Sequence, residues 1–202
     1  MEAILFAVRT KYKDVTHIST EELASWLDPQ DNAVSAGLSS DLSNTDGMVP
    51  ESQGGARDQE AKELLDQGNI ILLDVREEDE YNVSHLENAR RVRDSLNAEE
   101  VEELLKEVLK PFNEKEPEEV LKIVCYCSLG YRSSDLARKL KTQIDKVKPS
   151  TSLQIFNLEG SIFKWANEGR KLVDNYGNDT TYVHPYNMVF GMTLKKCLHK
   201  YK

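Results

Sequence analysis

Leu121-Lys122-Ile123-Val124-Cys125-Tyr126-Cys127-Ser128-Leu129-Gly130-Tyr131-Arg132-Ser133 runs from an apolar, β-like stretch through a glycine-bearing turn, and a helix-like run follows from Asp135 to Ile144. Cys127 therefore stands where a strand hands over to a helix. The first N–H groups of a helix lack internal partners and its macrodipole is positive at that end, so an anion or a thiolate is stabilised there. Arg132 adds a fixed positive charge, and Gly130 allows turn geometry that a side chain resists. A free thiol with a pKa of about 8.5 is mostly protonated at neutral pH, and lowering it by about two units makes thiolate the main species.

Outward from this stretch, strands alternate with helices. Upstream, the apolar run Ile70 to Val75, broken only by Asp74, reads as a strand covered on both faces. Arg76 to Tyr81 reads as a turn into a short acidic helix, and Ser84 to Val92 as a loop with a brief strand. Asn97 and Glu100 form a capping box for a helix whose apolar stripe is Val101, Leu104, Leu105, Val108 and Leu109, and Pro111 ends it. Downstream, Leu136, Ala137, Leu140 and Ile144 share one helix face. Leu153 to Leu158 is another strand. Gly160 then breaks the chain, and Ser161 is placed to cap a helix that carries Ile162, Phe163, Trp165 and Ala166 up to Gly169.

Nearer the start, Ser19 and Glu22 make a second capping-box pattern for a short helix with Leu23, Trp26 and Leu27. From 28 to 57 the chain is rich in Ser, Gly, Asn and Asp without apolar period, which predicts a disordered insertion. It is a spacer or a segment open to a protein partner. Order is expected to resume with a helix from Asp58, marked by Ala61, Leu64 and Leu65 and stopped by Gly68. Such alternation predicts an α/β fold with a central, mostly parallel sheet of about five strands flanked by helices. Reactive groups in such sheets gather at the carboxyl ends of strands, where both Asp74 and Cys127 fall.

Composition narrows the class. With 202 residues, 39% hydrophobic, the chain can bury one substantial core, and a net charge of -9 disfavours nucleic acid or an anionic membrane as partner. The basic cluster Lys195, Lys196, Lys200 and Lys202 reads as a solvated face. Three cysteines make no disulfide framework, so a reducing compartment, by default the cytoplasm, is expected. The apolar run Ala3 to Val8 is too short to span a membrane, and Glu2 stands where a signal peptide carries positive charge. Cys197 and His199 are two ligands without companions, so no metal site is expected.

Four stretches, taken in order, resemble the rhodanese-like domain of single-domain sulfurtransferases. They are Leu72-Leu73-Asp74-Val75-Arg76 with Glu80-Tyr81; Ser84-His85-Leu86 with Ala89; the cysteine loop; and Leu158-Glu159-Gly160-Ser161-Ile162-Phe163-Lys164-Trp165 with Gly169. Ile18 to Leu23 is similar to the family's entry segment. The sequence departs from the family pattern at Ser84, where glycine usually precedes the histidine, and at Glu87-Asn88, where a Pro-Gly turn is common. The expected organisation is an N-terminal segment 1–15, a rhodanese-like domain 16–174 interrupted by 28–57, and a C-terminal extension 175–202.

The resemblance implies a persulfide carried on Cys127. A sulfur donor such as thiosulfate or a small persulfide would supply it, and a thiol or cyanide would accept it, without metal or cofactor. Arg132 is expected to hold the loop and attract the donor, and Ser128, Leu129, Gly130, Tyr131 and Ser133 to surround the sulfur. Asp74 and Arg76 are expected behind the loop as an ion-paired scaffold. His85 is read as structural. Cys125, two residues from Cys127 on one strand face, is read as a small core residue, with a resolving thiol as the alternative. The chain is expected to act as a monomer.

Cysteine-dependent phosphatases resemble this arrangement in gripping an anion with a cysteine-to-arginine loop, but they place five residues between the two; here Arg132 follows Cys127 after four, and five lands on Ser133. A non-catalytic binding module of the same fold is the alternative from another class.

Overall fold

In a computed structural model of the chain, which describes residues 1–27, 69–112, 120–147 and 152–201, five strands form one sheet. They are β1 (Thr16–Ile18), β2 (Ile70–Asp74), β3 (Arg90–Arg91), β4 (Leu121–Tyr126) and β5 (Leu153–Leu158), in the order β1-β5-β4-β2-β3, with every pairing parallel. The sheet is therefore wholly parallel. Around it lie α1 (Glu2–Lys11), α2 (Thr20–Leu27), α3 (Glu78–Val83), α4 (Ala98–Leu109), α5 (Tyr131–Val147) and α6 (Ser161–Asn167). A two-stranded antiparallel pair follows, β6 (Leu172–Val173) with β7 (Asp179–Thr180), and then the short helix α7 (Met188–Gly191). The expected insertion at 28–57 and the helix expected from Asp58 lie outside the described residues.

Strand periodicity splits the apolar runs between two cores. Ile71, Leu73, Ile123, Cys125 and Ile155 face one way, against α1, α4 and α5. Ile70, Leu72, Val124, Tyr126, Phe156 and Leu158 face the other, against α2, α6 and the C-terminal segment. Successive side chains on a strand alternate in direction, so a strand buried on both faces must be apolar throughout. Each fully buried Val, Leu or Ile contributes about 1.5–3 kcal/mol, and α4 supplies five such groups at the spacing expected. Asn97 caps that helix as expected, its Oδ1 accepting from the N–H groups of Glu99 and Glu100.

Several local expectations change. Helix α5 begins at Tyr131, four residues before Asp135, so Arg132 and Ser133 lie in its first turn. Ser161 is not a helix cap: it sits at φ 50 and Gly160 takes the capping position at φ 72. The Ser161 hydroxyl instead accepts from the Cys127 N–H and donates to the Leu158 carbonyl, both at 3.1 Å. The family departures are accommodated by backbone geometry. Ser84 is extended, at φ -171, a conformation open to any residue, and Asn88 takes the left-handed region at φ 60, where Asn is among the best-tolerated side chains.

Both termini pack onto the domain. Leu5, Val8 and Tyr12 bury one stripe of α1 and its C-terminal edge. At the other end Val183 and Leu194 enter the second core, and the Lys195 ammonium donates to the Asn167 carbonyl at 2.7 Å, so this lysine is not simply solvated. Among the described residues no helix is long and apolar enough to cross a membrane.

Candidate active site

The backbone between β4 and α5 is held from below. The Cys127 and Ser128 carbonyls accept the N–H groups of Ile162 and Phe163, at 3.1 and 3.3 Å, from the start of α6. With its carbonyls drawn that way, the loop turns other N–H groups toward the cysteine. The Gly130 N–H donates to Cys127 Sγ at 3.1 Å, and the Ser133 Oγ lies 3.4 Å from the same sulfur. Gly130 sits at φ 111, a backbone state that side-chain-bearing residues rarely adopt.

Cys127 is buried, and burial alone pushes its thiol up. The positive charge of Arg132, then the Ser133 and Gly130 donors, outweigh that and hold the thiol below its ordinary value. Cys125 has only the first effect in full: burial, then the neighbouring Cys127 charge, push it well up, and its side chain lies in the first core. All three cysteines are free thiols. Cys125 is thus a packed, protonated core residue.

Arg132 makes a two-pronged ion pair with Glu80, Nη1 to Oε2 at 2.8 Å and Nη2 to Oε1 at 3.0 Å. Ser128 joins them: its Oγ accepts from Arg132 at 3.0 Å and donates to Glu80 at 2.8 Å. Glu80 is 2% exposed, and burial alone raises its carboxyl, but Arg132, then Arg76 and Ser128, bring it below the usual range. The Tyr186 ring lies against the outer face of Arg132, 4.7 Å from guanidinium carbon to ring centre. Glu80 stands in one of the four family-like stretches, but nothing in the sequence gives it a role at the loop, and Tyr186 is far away in sequence.

Asp74 and Arg76 pair behind the loop with both side chains fully buried. The Arg76 Nε donates to Asp74 Oδ1 at 2.9 Å and its Nη2 to Oδ2 at 2.6 Å, while Nη1 donates to the Glu80 carbonyl at 3.1 Å and Nη2 also to the Ser84 carbonyl. The guanidinium therefore ties the first turn of α3, at Glu80, to Ser84 just past its end. His85 stacks flat on Tyr81, ring centres 3.9 Å apart, and burial lowers its pKa, which keeps it neutral.

The structure brings Cys127, Ser128, Gly130, Arg132 and Ser133 together, with Asp74 and Arg76 one layer behind. Two expected contacts differ. Leu129 turns into the second core and is buried, so its side chain packs instead of lining an entrance. Tyr131 is half-buried against Tyr12, edge to face at 6.4 Å, with Lys11 over both rings. Among the described residues no cluster of three metal-binding side chains occurs, and Cys197 is exposed while His199 contacts the Gly191 and Leu194 carbonyls.

The chain is similar to several solved structures. One is the As-Sb reductase of Leishmania major, with 17% identity over 82% of this chain and 92% of that one, at a TM-score of 0.49. Another is Ygr203w of Saccharomyces cerevisiae, described as a homologue of single-domain rhodanese and of the Cdc25 phosphatase catalytic domain, with 17% identity over 76% of this chain and 81% of that one, at 0.48. A third is protein hp1203 of Helicobacter pylori, with 23% identity over 55% and 84%, at 0.36. A search of curated proteins finds no match to the chain. The family model for the rhodanese-like domain matches residues 58–168, more than half of the chain and all of the cysteine loop, and on that match the chain belongs to the rhodanese-like domain family.

Proposed function

We propose that the protein is a sulfurtransferase that carries sulfur as a persulfide on Cys127. The observation that supports this best is the Cys127 sulfur itself, buried at the start of α5 with the Gly130 N–H at 3.1 Å, the Ser133 hydroxyl at 3.4 Å and the Arg132 charge nearby. The thiolate attacks the outer, sulfane sulfur of the donor. A bond forms between Sγ and that sulfur as the donor's own S–S bond breaks, and sulfite or a thiolate leaves with the electron pair. An acceptor thiolate or cyanide then attacks the outer sulfur and the Cys127 thiolate is released.

Each residue has a part in that sequence. Arg132, its side chain 17% exposed and steadied by Glu80, draws the anionic donor toward the loop and holds the thiolate form. The Gly130 N–H and neighbouring loop donors stabilise charge on the sulfur as it develops. Arg76 and Asp74 keep α3, and so Glu80, in register with the loop. With a single arginine in the loop, a small persulfide such as glutathione persulfide is the better donor than thiosulfate. Phosphoryl transfer fits less well: with five residues left between, the place after Cys127 is Ser133, a neutral hydroxyl 3.4 Å from the sulfur.

The test is steady-state turnover with thiosulfate and with glutathione persulfide, for the wild type and for Cys127→Ser. The expected result is ping-pong kinetics abolished by the substitution, with the higher kcat/KM for the persulfide. Unchanged turnover in Cys127→Ser refutes the proposal, and Cys127-dependent hydrolysis of an aryl phosphate in place of sulfur transfer moves the assignment to a phosphatase.

A further inference from the structure

Behind Cys127 a line of polar side chains runs across the sheet to the far edge strand. Ser133 Oγ lies 3.4 Å from Cys127 Sγ and 2.6 Å from Asn157 Oδ1. The other end of the Asn157 amide lies 3.0 Å from His17 Nδ1, and His17 Nε2 lies 3.2 Å from the Tyr12 carbonyl. The strands build this line directly. Asn157 of β5 is in register with His17 of β1 on one side and Cys125 of β4 on the other, so all three side chains leave the same face, and Cys127 follows two residues later. Ser133 and Asn157 are both fully buried, and the amide also underlies Gly130.

Counting hydrogens shows that this line has two states. A hydroxyl has one hydrogen, and here it has two acceptors within reach, Asn157 Oδ1 and the sulfur. A carbonyl only accepts, so His17 Nε2 carries a hydrogen toward Tyr12, and the charge on the ring is decided at Nδ1. With His17 neutral, Nδ1 accepts from the amide NH2, Oδ1 accepts the Ser133 hydrogen, and only lone pairs of Ser133 face the sulfur; that suits a thiol, which can donate to them. With His17 cationic, Nδ1 donates. The amide then turns over, because its two ends have nearly the same shape: Oδ1 accepts from His17, the NH2 donates to Ser133, and the Ser133 hydrogen is sent to the sulfur, which suits a thiolate.

We propose that Asn157 and His17 are positioning residues for Cys127: the turn of the Asn157 amide, set by the charge on His17, decides whether Ser133 gives its hydrogen to the sulfur. The proposal rests on the reading of Cys127 as the reactive thiol. Thiol with neutral imidazole and thiolate with imidazolium hold the same number of protons, each group exchanging its own with solvent. The charged and titratable side chains on the segments next to His17 are Lys11, Tyr12, Lys13 and Asp14 before β1, Arg138 and Lys141 of α5, which both reach that turn, and the Arg9–Glu159 pair. Among the described residues none of these side chains hydrogen-bonds the His17 ring, whose partners are the Asn157 amide and the Tyr12 carbonyl.

The test is a double-mutant cycle on the full chain, without any sulfur donor. Ultraviolet thiolate absorbance, taken as the difference from the matching Cys127→Ala background, is titrated in the wild type, His17→Gln, Asn157→Ala and the double variant His17→Gln with Asn157→Ala. Linkage between two sites is reciprocal, so the Cys127 thiolate is expected to form at higher pH in His17→Gln than in the wild type. That difference is expected to vanish when Asn157 is alanine. The proposal is overturned if the Cys127 titration does not depend on His17, or if the dependence survives in Asn157→Ala, as a simple through-space charge effect predicts. Should Asn157→Ala not fold, Ser133→Ala breaks the line one link further on and carries the same expectation. Sulfur transfer is read separately, so its absence and the absence of this coupling are distinguishable.

Discussion

Two arginine–carboxylate pairs meet at Glu80, one closed within Asp74 to Arg76 and one spanning 52 residues from Glu80 to Arg132, and they do different work. Asp74–Arg76 is sealed, with both side chains wholly buried and the guanidinium shared between one carboxylate and two backbone carbonyls. Glu80–Arg132 has the same two-pronged geometry but lies at the rim, its arginine partly exposed, next to the Cys127 sulfur and under a tyrosine ring. The Glu80 carbonyl joins the two, accepting from Arg76 while its carboxylate accepts from Arg132. Burial separates their roles. A sealed pair can only hold the fold together, because nothing reaches it, whereas a pair at the rim can act on an incoming anion and on a thiol.

The largest effect expected is on the sealed pair. Arg76→Leu leaves Asp74 as an uncompensated buried charge and frees two carbonyls, and should cost about 3–5 kcal/mol in urea unfolding. Arg132→Leu should reverse the balance: the buried Glu80 carboxylate keeps the Glu77 N–H and the Ser128 hydroxyl as donors, so the stability loss should be smaller, about 1–3 kcal/mol, while sulfur loading of Cys127 slows about 100-fold or more. If the two variants behave alike, the division between scaffold and site fails.

The pH dependence sharpens the same contrast. Cys127 is held below its ordinary value, so the loading rate should rise with pH and level off at lower pH than a free thiol would; Arg132→Leu should move that curve to higher pH. Glu80 is also held low, so the stability it contributes is complete above its unfolded value of about 4.3 and is lost as pH falls through the lower folded value. In acid urea titrations the wild type should therefore lose more stability than Glu80→Gln. The smallest effect is expected at Tyr186, whose removal takes about 0.5–1 kcal/mol of cation–π contact from Arg132 and should raise the donor KM about two- to fivefold, read from initial rates.

The sheet was legible because strands buried on both faces leave nearly continuous apolar runs, broken in β2 only by Asp74 and in β4 only by Lys122, while β5, with Gln154 and Asn157, shows a looser alternation. Helix α4 was legible through its cap and stripe. Helix α1 was less so, since two buried residues, Leu5 and Val8, also fit a brief apolar run. The start of α5 was placed late because its first residues, Tyr131 to Ser134, include no buried aliphatic side chain to mark the period. At the site, Cys127, Gly130 and Arg132 could be found because spacing along one loop carries their chemistry. The roles of Glu80, Asn157, His17 and Tyr186 could not be read, because each comes from a different element and only the folded sheet brings them near. Ser161 was assigned to a helix cap on residue type, whereas the left-handed backbone there turns its hydroxyl to the Cys127 N–H.

The central claim is that sulfur is carried on Cys127 itself. Mass spectrometry of the intact protein after incubation with thiosulfate or glutathione persulfide, followed by peptide mapping, tests it directly. The account predicts a gain of one sulfur atom located on Cys127, removed by cyanide with the appearance of thiocyanate and missing in Cys127→Ser. A chain that gains no sulfur at Cys127, or gains it equally in Cys127→Ser, contradicts the account.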